Sequence, residues 1–151
     1  IGRLVGLEVI NVEGATGYYN TNYKGKADAA IASLKNKELV YLHVEAPDEA
    51  SHNGDLQEKI LAIERFDQLV VTTILESLKG RYEFRILLMP DHATPLSLRT
   101  HTADSVCFAM YGTGIFASGL EGFNETEAKK SGVLLDNAFV LMDRLIKEKE
   151  I

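Results

Sequence analysis

Three of the four histidines in this 151-residue sequence, His52, His92 and His101, fall in two polar loops, and each has an aspartate close by. Asp48 precedes His52 by four residues, Asp91 adjoins His92, and Asp104 follows His101 by three. Four residues is one helical turn, so on a helix Asp48 and His52 project from one face and can grip one cation. Asp91 and His92 are neighbours beyond a strand-like run, where successive side chains diverge. That favours two ions taking one residue each over one ion taking both. His101 can return toward His92 over a loop containing Pro95. The sharp reading is a centre for two divalent metals built from Asp48, His52, Asp91, His92 and His101. Oxygen and imidazole donors without thiolate favour Mn²⁺ or Zn²⁺, with Co²⁺ or Mg²⁺ as alternatives. Two cations about 3.5–4 Å apart can clamp the attacking and leaving oxygens of a phosphoryl displacement. The plainer reading is that these residues cap helices and hydrogen-bond turns, as Asp and His often do in loops.

The segments that must position these loops are strands and helices in alternation. Leu7 to Val12, Leu39 to Val44, Phe84 to Met89 and Val106 to Tyr111 are short apolar or β-branched runs expected to be strands. LVYLHV and ILLM are apolar at consecutive positions, which suits a sheet covered on both faces. Helices are expected from about Asn22 to Lys35, from Asp55 to Gly80, and from Ser131 to Glu148. The second has the clearest pattern, with Asp55 and Glu58 forming a capping-box signature before Leu56, Ile60, Ile63, Leu69, Val70 and Ile74. The expected fold is therefore α/β, a three-layer α/β/α sandwich, with ligands in loops beyond the strand ends. No linker or repeat divides residues 1–151.

Composition narrows the partners. Sixteen basic against twenty-two acidic residues give a net charge of −6, which argues against broad capture of nucleic acid or an anionic membrane. No apolar run approaches the length of a membrane-spanning helix. A single cysteine excludes an intrachain disulfide, so a reducing cytoplasm is the expected setting. Among other residues, Arg99 is either a phosphate-binding fork of donors or a solvated loop arginine. The GATG and GTG turns match no nucleotide-binding fingerprint. His43 reads as a packed histidine within a strand, Cys107 as a small buried hydrophobe, and the closing KEKE as a solvated helix end.

The two loops, EAPDEASHNGDLQEKILAIERFD and PDHATPLSLRTHTADSVCFAMYG, together with upstream GATGYYNTNYKGKADAA, resemble the carboxyl-terminal half of cofactor-independent phosphoglycerate mutases of the archaeal type. That family belongs to the alkaline phosphatase superfamily of binuclear metalloenzymes. The resemblance implies an alkaline phosphatase-like, incomplete metalloenzyme domain over 1–151, lacking the amino-terminal part and an inserted domain. It implies Asp48, His52 and His101 as ligands of one metal and Asp91 and His92 as ligands of the other, with Arg99, on its own chemistry, the candidate substrate contact. It also implies interconversion of 3-phosphoglycerate and 2-phosphoglycerate through a phosphoserine on a small phosphorylated substrate. The family's nucleophilic serine and amino-terminal metal-binding aspartate find no match here. EGATG stands where a D-G opening is expected, and Ser51 is not at the nucleophile's position. The expectation is thus a fragment of a longer enzyme, inactive by itself. The alternatives are another phosphohydrolase or phosphotransferase of the superfamily, or a non-catalytic metal-binding α/β module.

Overall fold

The computed structural model describes residues 2–147. The chain divides into two units, one of residues 1–81 and 94–100 and the other of residues 82–93 and 101–151.

The first unit is helical. After a 3₁₀ turn at Gly2–Val5, α1 spans Tyr23–Ser33. The Asn22 side chain caps α1 by accepting from Gly25 N at 2.8 Å, which satisfies a backbone donor the helix itself leaves unpaired. Tyr23, Ala27 and Ala30 recur at helical spacing and are its buried residues. α2 spans Ala46–Asn53 and α3 spans Leu56–Phe66. Asp55 caps α3 by accepting from Glu58 N at 2.9 Å, the contact its capping pattern predicts. A π-helical stretch, Asp67–Thr72, then runs directly into α4, Thr73–Leu78. The expected long helix is therefore present with one local rewinding. Val70, Val71, Thr72, Thr73 and Ile74 lie at that point, five β-branched side chains in a row that crowd the preceding turn. The core joins Tyr23, Ala27, Ala46, Ala62 and Val70, with Leu42, Val44, Phe66 and Ile74 against it. Three of its five buried members are alanines, so the helices approach closely.

The second unit carries β1, Arg85–Leu88, paired antiparallel with β2, Ala109–Gly112, in the register Arg85 to Gly112 and Leu88 to Ala109. It also holds α5, Glu125–Lys130, and α6, Val140–Ile146. Asn124 caps α5 by accepting from Glu127 N at 2.9 Å.

Three expected elements differ. Leu7 to Val12 and Leu39 to Val44 form no strand among the described residues. A strand exists only where a neighbour takes its backbone hydrogen bonds, and among the described residues β1 and β2 are the segments that form such a ladder. Leu42 and Val44 still pack on the helical core, which accounts for their apolar character without a ladder. The expected helix from Ser131 to Glu148 is broken: α5 lies before it, α6 occupies its later part, and residues 131–139 are not helical. Gly132 has φ 68°, a left-handed conformation that stops a helix. Of the expected stripe, Leu141 is buried while Leu134 stays 75% exposed. Glu148 and the rest of the closing KEKE after Lys147 lie outside the described residues. No described helix is long and apolar enough to cross a membrane.

The Asp55 cap yields a stability prediction. Asp55→Ala should lower the unfolding free energy by about 1 kcal/mol, measured by urea denaturation, whereas Asp55→Asn should lie close to the parent.

Candidate metal centre

α2 is built to display Asp48 and His52. Pro47 occupies its first turn, where a missing N–H costs nothing, and Asp48 and Glu49 complement the positive end of the helix. Gly54 closes it in a left-handed conformation, φ 68°. Ala46, Ala50 and Ser51 are fully buried, so this face anchors the helix while the other presents the polar pair. The expected convergence is observed: His52 Nε2 lies 3.2 Å from Asp48 Oδ2, with both side chains partly buried.

Each member of the pair is held from behind by the segment 94–100. Thr94 Oγ1 donates to Asp48 Oδ1 at 2.6 Å. His52 Nδ1 lies 2.9 Å from the Arg99 carbonyl oxygen. A carbonyl only accepts, so Nδ1 carries a hydrogen and the ring presents Nε2 to the Asp48 carboxylate. A carboxylate oxygen and an imidazole nitrogen at this separation are donor types that a divalent metal takes. Lys59 braces the arrangement, donating to Ser51 Oγ at 2.5 Å and to the Thr94 carbonyl at 2.9 Å. Ser51 Oγ in turn donates to the Pro47 carbonyl at 3.0 Å.

Arg99 serves this site through its backbone. It is the one described non-glycine residue with positive φ, 54°, a conformation that costs of order 1 kcal/mol and is characteristic of functional segments. The Pro95 carbonyl holds the turn by accepting from Leu98 N at 3.0 Å and Arg99 N at 2.9 Å. Its guanidinium lies against Gly54, where an added Cβ would stand 2.4 Å from Nε.

The remaining expected ligands belong to the second unit. β1 ends at Leu88, before Asp91, so the alternation of a strand does not govern Asp91 and His92. Instead of diverging, Asp91 Oδ1 and His92 Nε2 lie 3.7 Å apart. An isolated bridge pairs Ala93 with Thr102. It folds the chain back so that the His92 and His101 rings stack with centroids 3.7 Å apart, the return expected from the sequence. Asp104 accepts from Thr102 Oγ1 at 2.6 Å, which gives it a turn-forming role.

Sequence reasoning missed Thr94 and Lys59. The available signal for Thr94 was its place directly before Pro95, which confines its backbone to extended conformations. Other expectations fared unevenly. His43 is exposed, with Nε2 2.8 Å from Glu45 Oε2, and is not packed in a strand. Cys107 is half-buried, and burial first and Glu125 second push its thiol above the ordinary range, in keeping with an unreactive small hydrophobe.

The model of the Metalloenzyme superfamily matches residues 1–148. The chain belongs to that superfamily. Its alkaline phosphatase-like α/β character is further supported by a solved structure of a Pyrococcus horikoshii protein, similar at 31% identity and TM-score 0.85 over 99% of this chain and 46% of that one. The two-stranded sheet found among the described residues is consistent with an incomplete α/β domain. A 2,3-bisphosphoglycerate-independent phosphoglycerate mutase of Methanosarcina acetivorans is 49% identical over 149 residues, 97% of this chain. A probable enzyme of the same name from Geobacter sulfurreducens is 46% identical over 147 residues. The chain spans 38% and 37% of the lengths of these relatives.

The donor chemistry fits the superfamily. An imidazole nitrogen and a carboxylate oxygen face each other, and the second polar atom of each is engaged elsewhere. That arrangement supports binding of a divalent metal.

Two measurements follow. Gly54→Ala places a side chain in the left-handed region and against the Arg99 guanidinium, so it should cost about 1–2 kcal/mol in urea unfolding. Because the Cys107 thiol is raised, its alkylation by iodoacetamide at pH 8 should be slower than that of a small-molecule thiol, and should keep rising at pH values where the small thiol has levelled off.

Proposed function

We propose that this metalloenzyme chain carries part of the metal centre of a 2,3-bisphosphoglycerate-independent phosphoglycerate mutase, interconverting 3-phosphoglycerate and 2-phosphoglycerate. The observation that carries the reading is the facing pair on α2, Asp48 Oδ2 and His52 Nε2 at 3.2 Å, backed by Thr94 and Arg99. The relatives named as such mutases, similar at up to 49% identity, supply the substrate class.

In this reading Asp48, His52 and His101 are ligands of one divalent ion and Asp91 and His92 are ligands of a second. Mn²⁺ is the first assignment, with Zn²⁺, Co²⁺ and Mg²⁺ as alternatives for the same oxygen and imidazole donors. Bound divalent ions would offset charge on the transferring phosphoryl group and lower the pKa of a nucleophilic hydroxyl. The contribution of this chain is placement. α2 holds two donors in fixed relation, Arg99 sets the tautomer of His52, and Thr94 sets the carboxylate rotation of Asp48. The Arg99 guanidinium is assigned to the phosphate of the substrate, for which its fork of donors is suited. The phosphate-accepting serine is assigned to the portion of the relatives' length that this chain does not span. A small, charged phosphate ester as substrate suits a cytoplasmic setting.

The intact protein bearing this chain should convert 3-phosphoglycerate to 2-phosphoglycerate with Mn²⁺ and without added 2,3-bisphosphoglycerate. Chelation should abolish the conversion. His52→Ala should reduce it by more than the roughly 10–100-fold that losing an outer-shell partner costs. Full activity after exhaustive chelation, or an unimpaired His52→Ala enzyme, would refute the metal mechanism.

A further inference from the structure

We infer that Thr94 is a positioning residue for the metal centre, one that holds no ion itself but selects which oxygen of Asp48 is presented to it. The inference rests on the reading of Asp48 and His52 as ligands and deepens it.

The torsion that turns a carboxylate about its Cβ–Cγ bond is broad and weakly restrained. Left to itself, the partly buried Asp48 side chain would sample rotations offering either oxygen, or both. Thr94 removes that freedom. Its hydroxyl donates to Oδ1 at 2.6 Å, a short contact of the charge-assisted kind, and leaves Oδ2 as the oxygen that faces His52 Nε2.

The sequence makes Thr94 a stiff donor. It is β-branched, which restricts its first side-chain torsion, and Pro95 restricts its backbone. It is 7% exposed, so water offers little competition for its hydroxyl. Its carbonyl accepts from Lys59 Nζ at 2.9 Å, and the same ammonium donates to Ser51 Oγ at 2.5 Å. Ser51 is fully buried on α2, so Lys59 couples the Thr94 backbone to the helix that carries Asp48. The donor and its acceptor are thereby tied to one helix through two separate routes. Arg99 performs the parallel service for His52 through its carbonyl.

The test is Mn²⁺ binding by the intact protein bearing this chain, read as the loss of the electron paramagnetic resonance signal of hydrated Mn²⁺, with folding checked by circular dichroism. Thr94→Val removes the hydroxyl at nearly constant volume and should weaken Mn²⁺ binding by about 10–100-fold. Thr94→Ser keeps the hydroxyl and should stay much closer to the parent. Where Thr94→Val does not fold, Thr94→Ala removes the same group with less steric demand and is read the same way. His52→Ala is the control that separates the two claims. Loss of binding in His52→Ala with parental affinity in Thr94→Val overturns the positioning role and leaves the metal centre standing. Parental affinity in both, or no uptake by the parent protein, overturns the metal centre and the positioning role together.

Discussion

The pairing of Asp48 Oδ2 with His52 Nε2 is the constraint around which the helical unit is arranged. The His52 Nδ1 hydrogen is directed at the Arg99 carbonyl, and Thr94 holds the other oxygen of Asp48. Both groups of the pair are thus fixed by the surrounding structure. A surface pair with freedom to rotate would separate into water. The one seen here is held by a buried threonine, a strained backbone and a helix with one face fully packed.

That packing explains why so short a helix suffices. Isolated helices below about 12–15 residues are marginal in water, and α2 has eight residues. Its order comes from burial of Ala46, Ala50 and Ser51 and from its left-handed Gly54 terminus. Small side chains matter doubly. Ala27, Ala46 and Ala62 in the core let the helical axes lie close, and they have no rotamers through which the site could relax. A core of large flexible residues would bury more area and place α2 less sharply.

Much of the helical unit was legible in the sequence because its signals are local. The Asp55 cap and the apolar recurrence along α3 are read within a dozen residues. β1 and β2 were legible as apolar runs. The runs at Leu7 to Val12 and Leu39 to Val44 carry a similar composition without forming strands, since strand formation depends on a neighbour that composition does not reveal. Leu42 and Val44 show how an apolar run can be satisfied by a helical core instead. The expected helix from Ser131 failed for the opposite reason. Its apolar spacing was adequate, but Gly132 in the left-handed region outweighed it.

The site was legible in its ligand-type side chains and hidden in what orients them. Asp48 and His52 were found because helical spacing and ligand chemistry both pointed there. Thr94 and Lys59 escaped because threonine and lysine are common and their roles arise from contacts 46 and 35 residues away in sequence. Arg99 is the most instructive residue. Its side chain attracted attention as a phosphate fork, yet the structure engages it first through a carbonyl, an atom every residue possesses. Side-chain chemistry therefore cannot explain the choice of position 99; the left-handed turn that aims that carbonyl at His52 can. A glycine would adopt this turn at less conformational strain. Keeping an arginine there makes sense if its guanidinium, seated over Gly54, has work of its own beside the ligand pair.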